Sequence, residues 1–130
     1  MVDLEFLLLK GKNLIVSIMQ PTFLPWLGYF DLIAKSNLFV FLDNVQFESR
    51  SWQQRNRILF NEQILWITVP VSKPNGSQTK IKEILISEEH FHPEKICETL
   101  KRAYSKRIGI TWLERELFPL ILSHNSKLTE

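Results

Sequence analysis

The chain has 130 residues, 45% of them apolar and 23% charged, which fits one globular domain with a buried core and disfavours a second full domain within these residues. Its 16 basic and 14 acidic residues give a net charge of +2, which does not favour DNA or RNA as a partner. The single cysteine, Cys97, excludes an internal disulfide and fits a cytoplasmic location.

The amino-terminal segment, residues 1–13, has a short apolar centre preceded by the acidic Asp3 and Glu5. It lacks the pattern of a signal peptide, and we interpret it as an extension of a single domain over residues 14–130. Elsewhere no apolar run reaches the roughly 18 residues that cross a bilayer, so we expect no membrane-spanning segment.

The first third of the domain predicts a strand, a helix and a second strand. Leu14–Met19 is mostly apolar, Pro21–Asn37 has apolar residues at helical spacing, and Leu38–Leu42 is continuously apolar. A crossover of this length allows a right-handed parallel βαβ unit. Both strands then end at the same edge of a sheet, where open α/β sheets bind ligands.

The remainder predicts a hairpin, a further strand and two helices. Arg57–Phe60 and Ile64–Val69 flank a three-residue loop, and Ile81–Ser87 follows as a strand. Pro93–Lys106 is an amphipathic helix, and the capping-box pattern Thr111–Glu114 predicts another. The predicted fold class is α/β: a three-layer-like domain with a mixed, largely parallel sheet and helices on its faces, beginning with the βαβ unit.

Polar residues at the two predicted strand ends form the candidate site. Gln20 follows the first strand and Asp43 the second, while Asn44 and Gln46 add neutral hydrogen-bonding groups. The Asp43 carboxylate fits a ribose contact, a Mg²⁺ ligand, an acid or base, or a turn cap. No dinucleotide or P-loop fingerprint occurs and the histidines and cysteine have no metal-ligand spacing, so Mg²⁺ is the one cofactor left open.

A cluster of arginines follows the second predicted strand. Arg50, Arg55 and Arg57 are three of the six arginines in the chain, and the eight residues that they span contain no acid. The planar guanidinium group binds phosphate or carboxylate with two hydrogen bonds, so we interpret the three as phosphate-binding residues. The alternative is that they are surface residues paired with Glu48 or Glu62.

Aromatic residues lie beside both segments. Trp52 is surrounded by polar residues, so it is either an exposed stacking platform or a buried anchor for the loop. Trp26 and Tyr29 suit stacking on a base or sugar ring, but the helical spacing of Trp26, Phe30 and Ile33 favours a place in the core.

Several motifs, in order and at similar spacing, resemble the WbqC-like family over about Leu14 to Phe118. They are Gln20-Pro21, Leu24–Phe30, Phe39–Phe47, Arg50–Trp52, Arg55–Ile58 and Val69–Val71. The resemblance implies a bacterial protein of surface-polysaccharide (O-antigen, lipopolysaccharide) biosynthesis. For one branch of the family it implies transfer of glycine, and more generally of a group from an activated donor.

The chain departs from the family pattern in two places. Met19 stands where many members have histidine, and Asn44 stands where many have a second aspartate. Members also extend further, so the resemblance implies an amino-terminal portion or a short form, with a domain incomplete at its carboxyl end. A partner chain or a second copy of this chain is then an expected partner.

Three readings follow from the sequence. The first is a transferase that binds an activated donor, a nucleotide or nucleotide sugar, with Arg50, Arg55 and Arg57 on its phosphates and Asp43 as acid, base or metal ligand. The second is a non-catalytic module that binds a nucleotide or sugar. The third is single-stranded nucleic-acid binding through Trp52 and the arginines, which the small net charge disfavours.

Overall fold

A computed structural model describes residues 13–123 and 125–129, so the predicted extension lies outside the described residues apart from Asn13. Strands β1 (Val16–Met19) and β2 (Leu38–Phe41) pair in parallel. Helix α1 (Leu27–Lys35) connects them. The predicted strand–helix–strand unit with parallel strands is therefore confirmed, and its right-handed crossover stays a prediction.

Helix α1 leaves most of its apolar residues on the surface. Tyr29 is its one buried residue, whereas Trp26, Leu27 and Phe30 are 54%, 87% and 53% exposed. The prediction that Trp26 and Phe30 belong to a core is therefore wrong for the part of the chain that the structure describes. The spacing predicted the helix correctly, but no described element covers this side of it.

Strands β3 (Arg55–Phe60) and β4 (Gln63–Thr68) form an antiparallel hairpin. Its turn has two residues, Asn61 and Glu62, with φ of 48° and 63°, the pair of positive φ angles that defines a type I′ turn. The predicted three-residue loop is wrong because the shorter turn matches the twist of the strands. The shorter turn also shifts the strand register by one residue.

The third strand pair is short and antiparallel, β5 (Val71–Ser72) with β6 (Leu85–Ile86). The predicted strand Ile81–Ser87 is thus wrong over most of its length. Ile81–Glu83 instead form a 3₁₀ turn that buries its first residue together with Ile84. The three-residue spacing of these isoleucines suits a 3₁₀ turn, in which positions i and i+3 lie on the same side.

The chain is helical from Pro93 to Leu122 apart from one connection, and the elements are α2 (Pro93–Tyr104), α3 (Ile110–Trp112), a π-helical turn (Leu113–Leu117) and α4 (Phe118–Leu122). The predicted amphipathic helix is confirmed as α2. The predicted capping box is wrong, because the N-cap of α3 is Gly109 and Thr111 lies inside the helix. The π-helical turn ends just before Pro119, whose missing N–H and bulky ring disrupt regular α-helical bonding.

The main core lies between the hairpin and the carboxyl-terminal helices. Its buried members include Ile67, Val69, Ile96, Leu100, Phe118 and Ile121. The predicted mixture of helices and strands is confirmed, with both parallel and antiparallel strand pairs. However, the described strands form three separate two-stranded sheets, so a single, largely parallel sheet in three layers is not observed. Among the described residues, no helix has the length and apolar character to cross a membrane.

Candidate functional site

The end of β1 is tied to the segment that carries the arginines. We call residues 20–26 the proline turn and residues 48–57 the arginine segment. The Phe23 backbone N–H donates to the Trp52 carbonyl at 2.9 Å. Gln53 Nε2 donates to Gln20 Oε1 at 2.8 Å, and Gln53 is buried. These bonds place Gln20 beside the arginine segment, as the strand-end argument predicts.

Two residues at this junction have left-handed backbone conformations, and each is bonded to a side-chain amide. Leu24 has a φ of 48°, and its carbonyl accepts a hydrogen bond from Asn56 Nδ2 at 2.6 Å. Arg50 has a φ of 60°, and its N–H donates to Gln54 Oε1 at 3.3 Å. A left-handed conformation costs a residue with a side chain about 1–2 kcal/mol. Strain of this kind is concentrated at ligand-binding sites.

Arg55 and Arg57 lie two residues apart on β3, so their side chains project from the same face of the hairpin. The Arg55 Cζ atom lies 4.4 Å from the centroid of the Trp66 ring. Trp66 packs at 5.6 Å, centroid to centroid, against Trp52, and the Arg57 Cζ atom lies 5.7 Å from the Trp52 centroid. We call these four side chains the arginine–tryptophan surface. Their cation–π contacts hold two guanidinium groups close to two indole rings.

The positive charge of this surface has no acidic partner among the described residues. No salt bridge there includes Arg50, Arg55 or Arg57, so the alternative pairing with Glu48 or Glu62 is not observed. The Arg55 Nε–H is buried and has no hydrogen-bond partner. A buried donor left in that state costs about 1–3 kcal/mol.

A cleft of about 550 Å³ lies between the proline turn and the arginine segment. Its walls are formed by Thr22, Pro25, Trp26, Trp52, Asn56 and Arg57. Clefts of roughly 300–1,000 Å³ are typical of small-molecule sites. Trp52, 47% exposed, is therefore a partly open wall of the cleft, which is nearer to the predicted platform than to the predicted buried anchor.

The end of β2 has different neighbours. The Asp43 carbonyl accepts a hydrogen bond from the Lys82 N–H at 3.0 Å, and Gln46 Nε2 donates to the Ser77 carbonyl at 2.7 Å. Asn44 is exposed. No hydrogen bond or ion pair in the described part of the chain joins the side chains of Asp43, Asn44 or Gln46 to the arginine segment. The structure thus joins Gln20, through Gln53, to the arginine segment, and does not join the other three to it.

Two buried titratable side chains, Tyr29 and Cys97, have raised pKa values. Burial raises the pKa of the Tyr29 hydroxyl, which donates to the Gln20 carbonyl at 3.0 Å. Burial, and secondarily the charge of Glu94, raises the pKa of the Cys97 thiol. Cys97 is a free thiol within the core. Nowhere in residues 13–123 and 125–129 are three His, Cys, Asp or Glu side chains grouped as metal ligands.

Sequence reasoning missed Trp66 and the amides that fix the junction. Trp66 pairs with Arg57 across the hairpin, whereas a three-residue loop would have paired it with Ile58 on the opposite face. A two-residue type I′ turn at Asn61 and Glu62, predicted in place of the three-residue loop, would have paired Trp66 with Arg57. Gln53 and Asn56 carried no comparable signal, because their bonding depends on a turn distant in sequence.

This geometry defines a class of protein: a mixed α/β domain with a cleft lined by cationic and aromatic side chains. Residues 20–130 match the WbqC-like protein family, and the chain belongs to that family.

A relative in Mycobacterium tuberculosis (strain ATCC 25618 / H37Rv), named "Uncharacterized protein Rv1507c", is 45% identical over 71 residues. The match covers 55% of this chain and 31% of the relative, so the chain spans about a third of that protein's length. No solved structure matches the chain.

Proposed function

We propose that this chain binds a phosphorylated, activated donor, a nucleotide or nucleotide sugar, as part of a transferase in bacterial surface-polysaccharide biosynthesis. The observation that carries the proposal is the arginine–tryptophan surface. Its two guanidinium groups have no carboxylate partner in the described chain, and Arg57 and Trp52 also line the adjoining cleft.

Phosphate is the donor group that this surface suits best. A guanidinium group forms two parallel hydrogen bonds to a phosphate, and Arg55 has a buried N–H that lacks a partner. Two arginines on one strand face, with Arg50 in the preceding loop, suit the two phosphates of a nucleoside diphosphate. Gln20 contributes by hydrogen bonding to Gln53, which fixes the arginine segment.

The transfer step is assigned to the end of β2. Asp43, half-buried after the strand, accepts the proton of the attacking acceptor group; were Mg²⁺ to bind, the Asp43 carboxylate would be the residue to hold it, and the ion would supply positive charge at the site. Asn44 and Gln46 supply neutral hydrogen bonds to the acceptor. The group transferred, glycine or another, leaves the nucleotide as its phosphate oxygen takes the bonding electrons.

The second candidate function is a binding module without turnover. Two observations favour it: the Asp43 carboxylate has no described contact with the arginine segment, and Asn44 replaces the second carboxylate that many family members have. In that case a partner chain or a second copy supplies the catalytic groups, and the present chain supplies only the donor site.

The proposal is tested by calorimetric titration of the whole chain with UDP-glucose, dTDP-glucose and GDP-mannose, with and without Mg²⁺. We expect one donor to bind, and the double variant Arg55→Gln/Arg57→Gln to weaken its binding by at least tenfold, since each lost charged hydrogen bond costs roughly 1.5–3 kcal/mol. The matched control is Arg102→Gln, an exposed arginine on α2 beside Glu98.

Equal donor affinity in the double variant and the wild type would refute the assignment of the arginines. An oligo(dT) strand serves as the competing ligand. Tight oligo(dT) binding that falls steeply with salt would instead identify a single-stranded nucleic-acid site.

A further inference from the structure

The position of the Trp26 ring depends on Gly28. A Cβ atom added at Gly28 would lie 2.5 Å from Trp26 Nε1 and 3.0 Å from Trp26 Cδ1, both too close for non-bonded atoms. Gly28 is in the first turn of α1, where glycine is about 1 kcal/mol less favourable than alanine. Gly28 therefore disfavours the helix, but its lack of a side chain leaves space for the Trp26 indole ring.

The same ring also contacts a second residue of α1. Trp26 meets Tyr29 edge to face, with ring centroids 5.5 Å apart and planes at 78°. Tyr29 is buried and its hydroxyl donates to the Gln20 carbonyl at the end of β1. Gly28 and Tyr29 thus fix an aromatic ring that is itself 54% exposed. An exposed ring with fixed orientation can bind another ring without losing side-chain entropy on binding.

Trp26 faces the cleft that Arg57 also lines. A nucleoside diphosphate with a phosphate on Arg57 therefore lies in a cleft of which Trp26 is also a wall residue. We propose that Trp26 is the stacking surface for the nucleobase of the donor and that Gly28 is its positioning residue. This inference rests on the proposed function and deepens it, since it identifies the base as the part of the donor that the proline turn recognises.

The test compares UDP with inorganic pyrophosphate as ligands of the whole chain. We expect UDP to bind roughly tenfold more tightly than pyrophosphate, the contribution of one base–aromatic stacking interaction. Gly28→Ala and Trp26→Leu should each remove most of that difference and leave pyrophosphate affinity unchanged. The matched control is Gly109→Ala, because a Cβ atom there meets nothing within 4 Å.

The thermal unfolding midpoint provides the check on folding. Alanine favours the helix, and the half-exposed indole ring can rotate away, so we expect Gly28→Ala to unfold at or above the wild-type temperature. A variant that stays folded and binds UDP as tightly as wild type overturns the inference. Equal wild-type affinity for UDP and pyrophosphate overturns it too, but leaves the phosphate assignment intact. Absence of binding to UDP, dTDP, GDP and pyrophosphate alike overturns both proposals.

Discussion

The ends of β1 and β2 are neighbours in one parallel strand pair, yet they lead to different surroundings. The end of β1 is bonded to the arginine segment through Gln20 and Gln53 and opens into the cleft. The end of β2 is bonded to residues 77–82. The comparison separates two proposed roles: the first end has the cations and rings to which we assign donor binding, and the second has the one predicted catalytic carboxylate.

The substitution Asp43→Asn gives the largest expected effect on this comparison. If the β2 end acts in transfer, release of the nucleoside diphosphate from the donor should fall by at least about 100-fold, the usual contribution of a general base. Donor affinity should stay within twofold, because binding belongs to the β1 end. Stopped assays of diphosphate release and calorimetry measure the two quantities.

The control for this substitution is Asp31→Asn, an exposed aspartate that pairs with Lys35 on α1. Unchanged release in Asp43→Asn would contradict the catalytic assignment. A wild-type chain that binds donor and releases nothing would support the binding-module alternative.

The substitution Asn56→Ala should loosen the β1 end. Its amide donates to the carbonyls of Phe23 and Leu24, the second of which is in the left-handed region. Loss of these two bonds should lower the free energy of unfolding by about 1–3 kcal/mol and weaken donor binding, because the proline turn forms a wall of the cleft. Chemical denaturation measures the first effect and calorimetry the second.

Asn75→Ala is the matched control, since its side-chain amide donates to the partly exposed Glu83 carboxylate and it lies outside the cleft. We expect a change within about 0.5 kcal/mol there. If Asn56→Ala is as neutral as this control, the proline turn does not depend on the arginine segment.

The smallest expected effect concerns Cys97, which belongs to neither strand end. Because burial and then Glu94 raise its pKa, the thiol should react with iodoacetamide far more slowly in the folded chain than in denaturant. The folded state favours the protonated thiol. Its contribution to stability is therefore complete below the ordinary thiol pKa and is lost as pH rises through the raised value. Fast alkylation of the folded chain at pH 7 would contradict this placement.

Local periodicity predicted the types of the longer elements, but it could not predict what covers them. Helices α1 and α2 both have apolar residues at helical spacing. In α2 this stripe buries Ile96 and Leu100, whereas in α1 Phe30 is half exposed. The difference arises because burial depends on a second element that packs on the helix, and the spacing within one helix contains no information about it.

The candidate site was predictable to the same limited extent. The arginine cluster and Trp52 are contiguous in sequence and could be recognised there. The hairpin register decides whether Trp66 lies on the same face as Arg55 and Arg57. An error of one residue in the turn length moves Trp66 to the opposite face. The contribution of Gly28 depended on the conformation of a neighbouring tryptophan ring, which no residue pattern specifies.

The most direct test of the donor site is a ¹H–¹⁵N NMR titration of the whole chain with UDP, following indole and arginine side-chain signals. We expect the indole Nε1–H signals of Trp26 and Trp52 and the Nε–H signal of Arg55 to shift and saturate at one common dissociation constant. The backbone signals of Lys82 and Ser77, beside the end of β2, should stay unchanged. Shifts confined to residues 43–46 and 77–82, with these side-chain signals unmoved, would contradict the account.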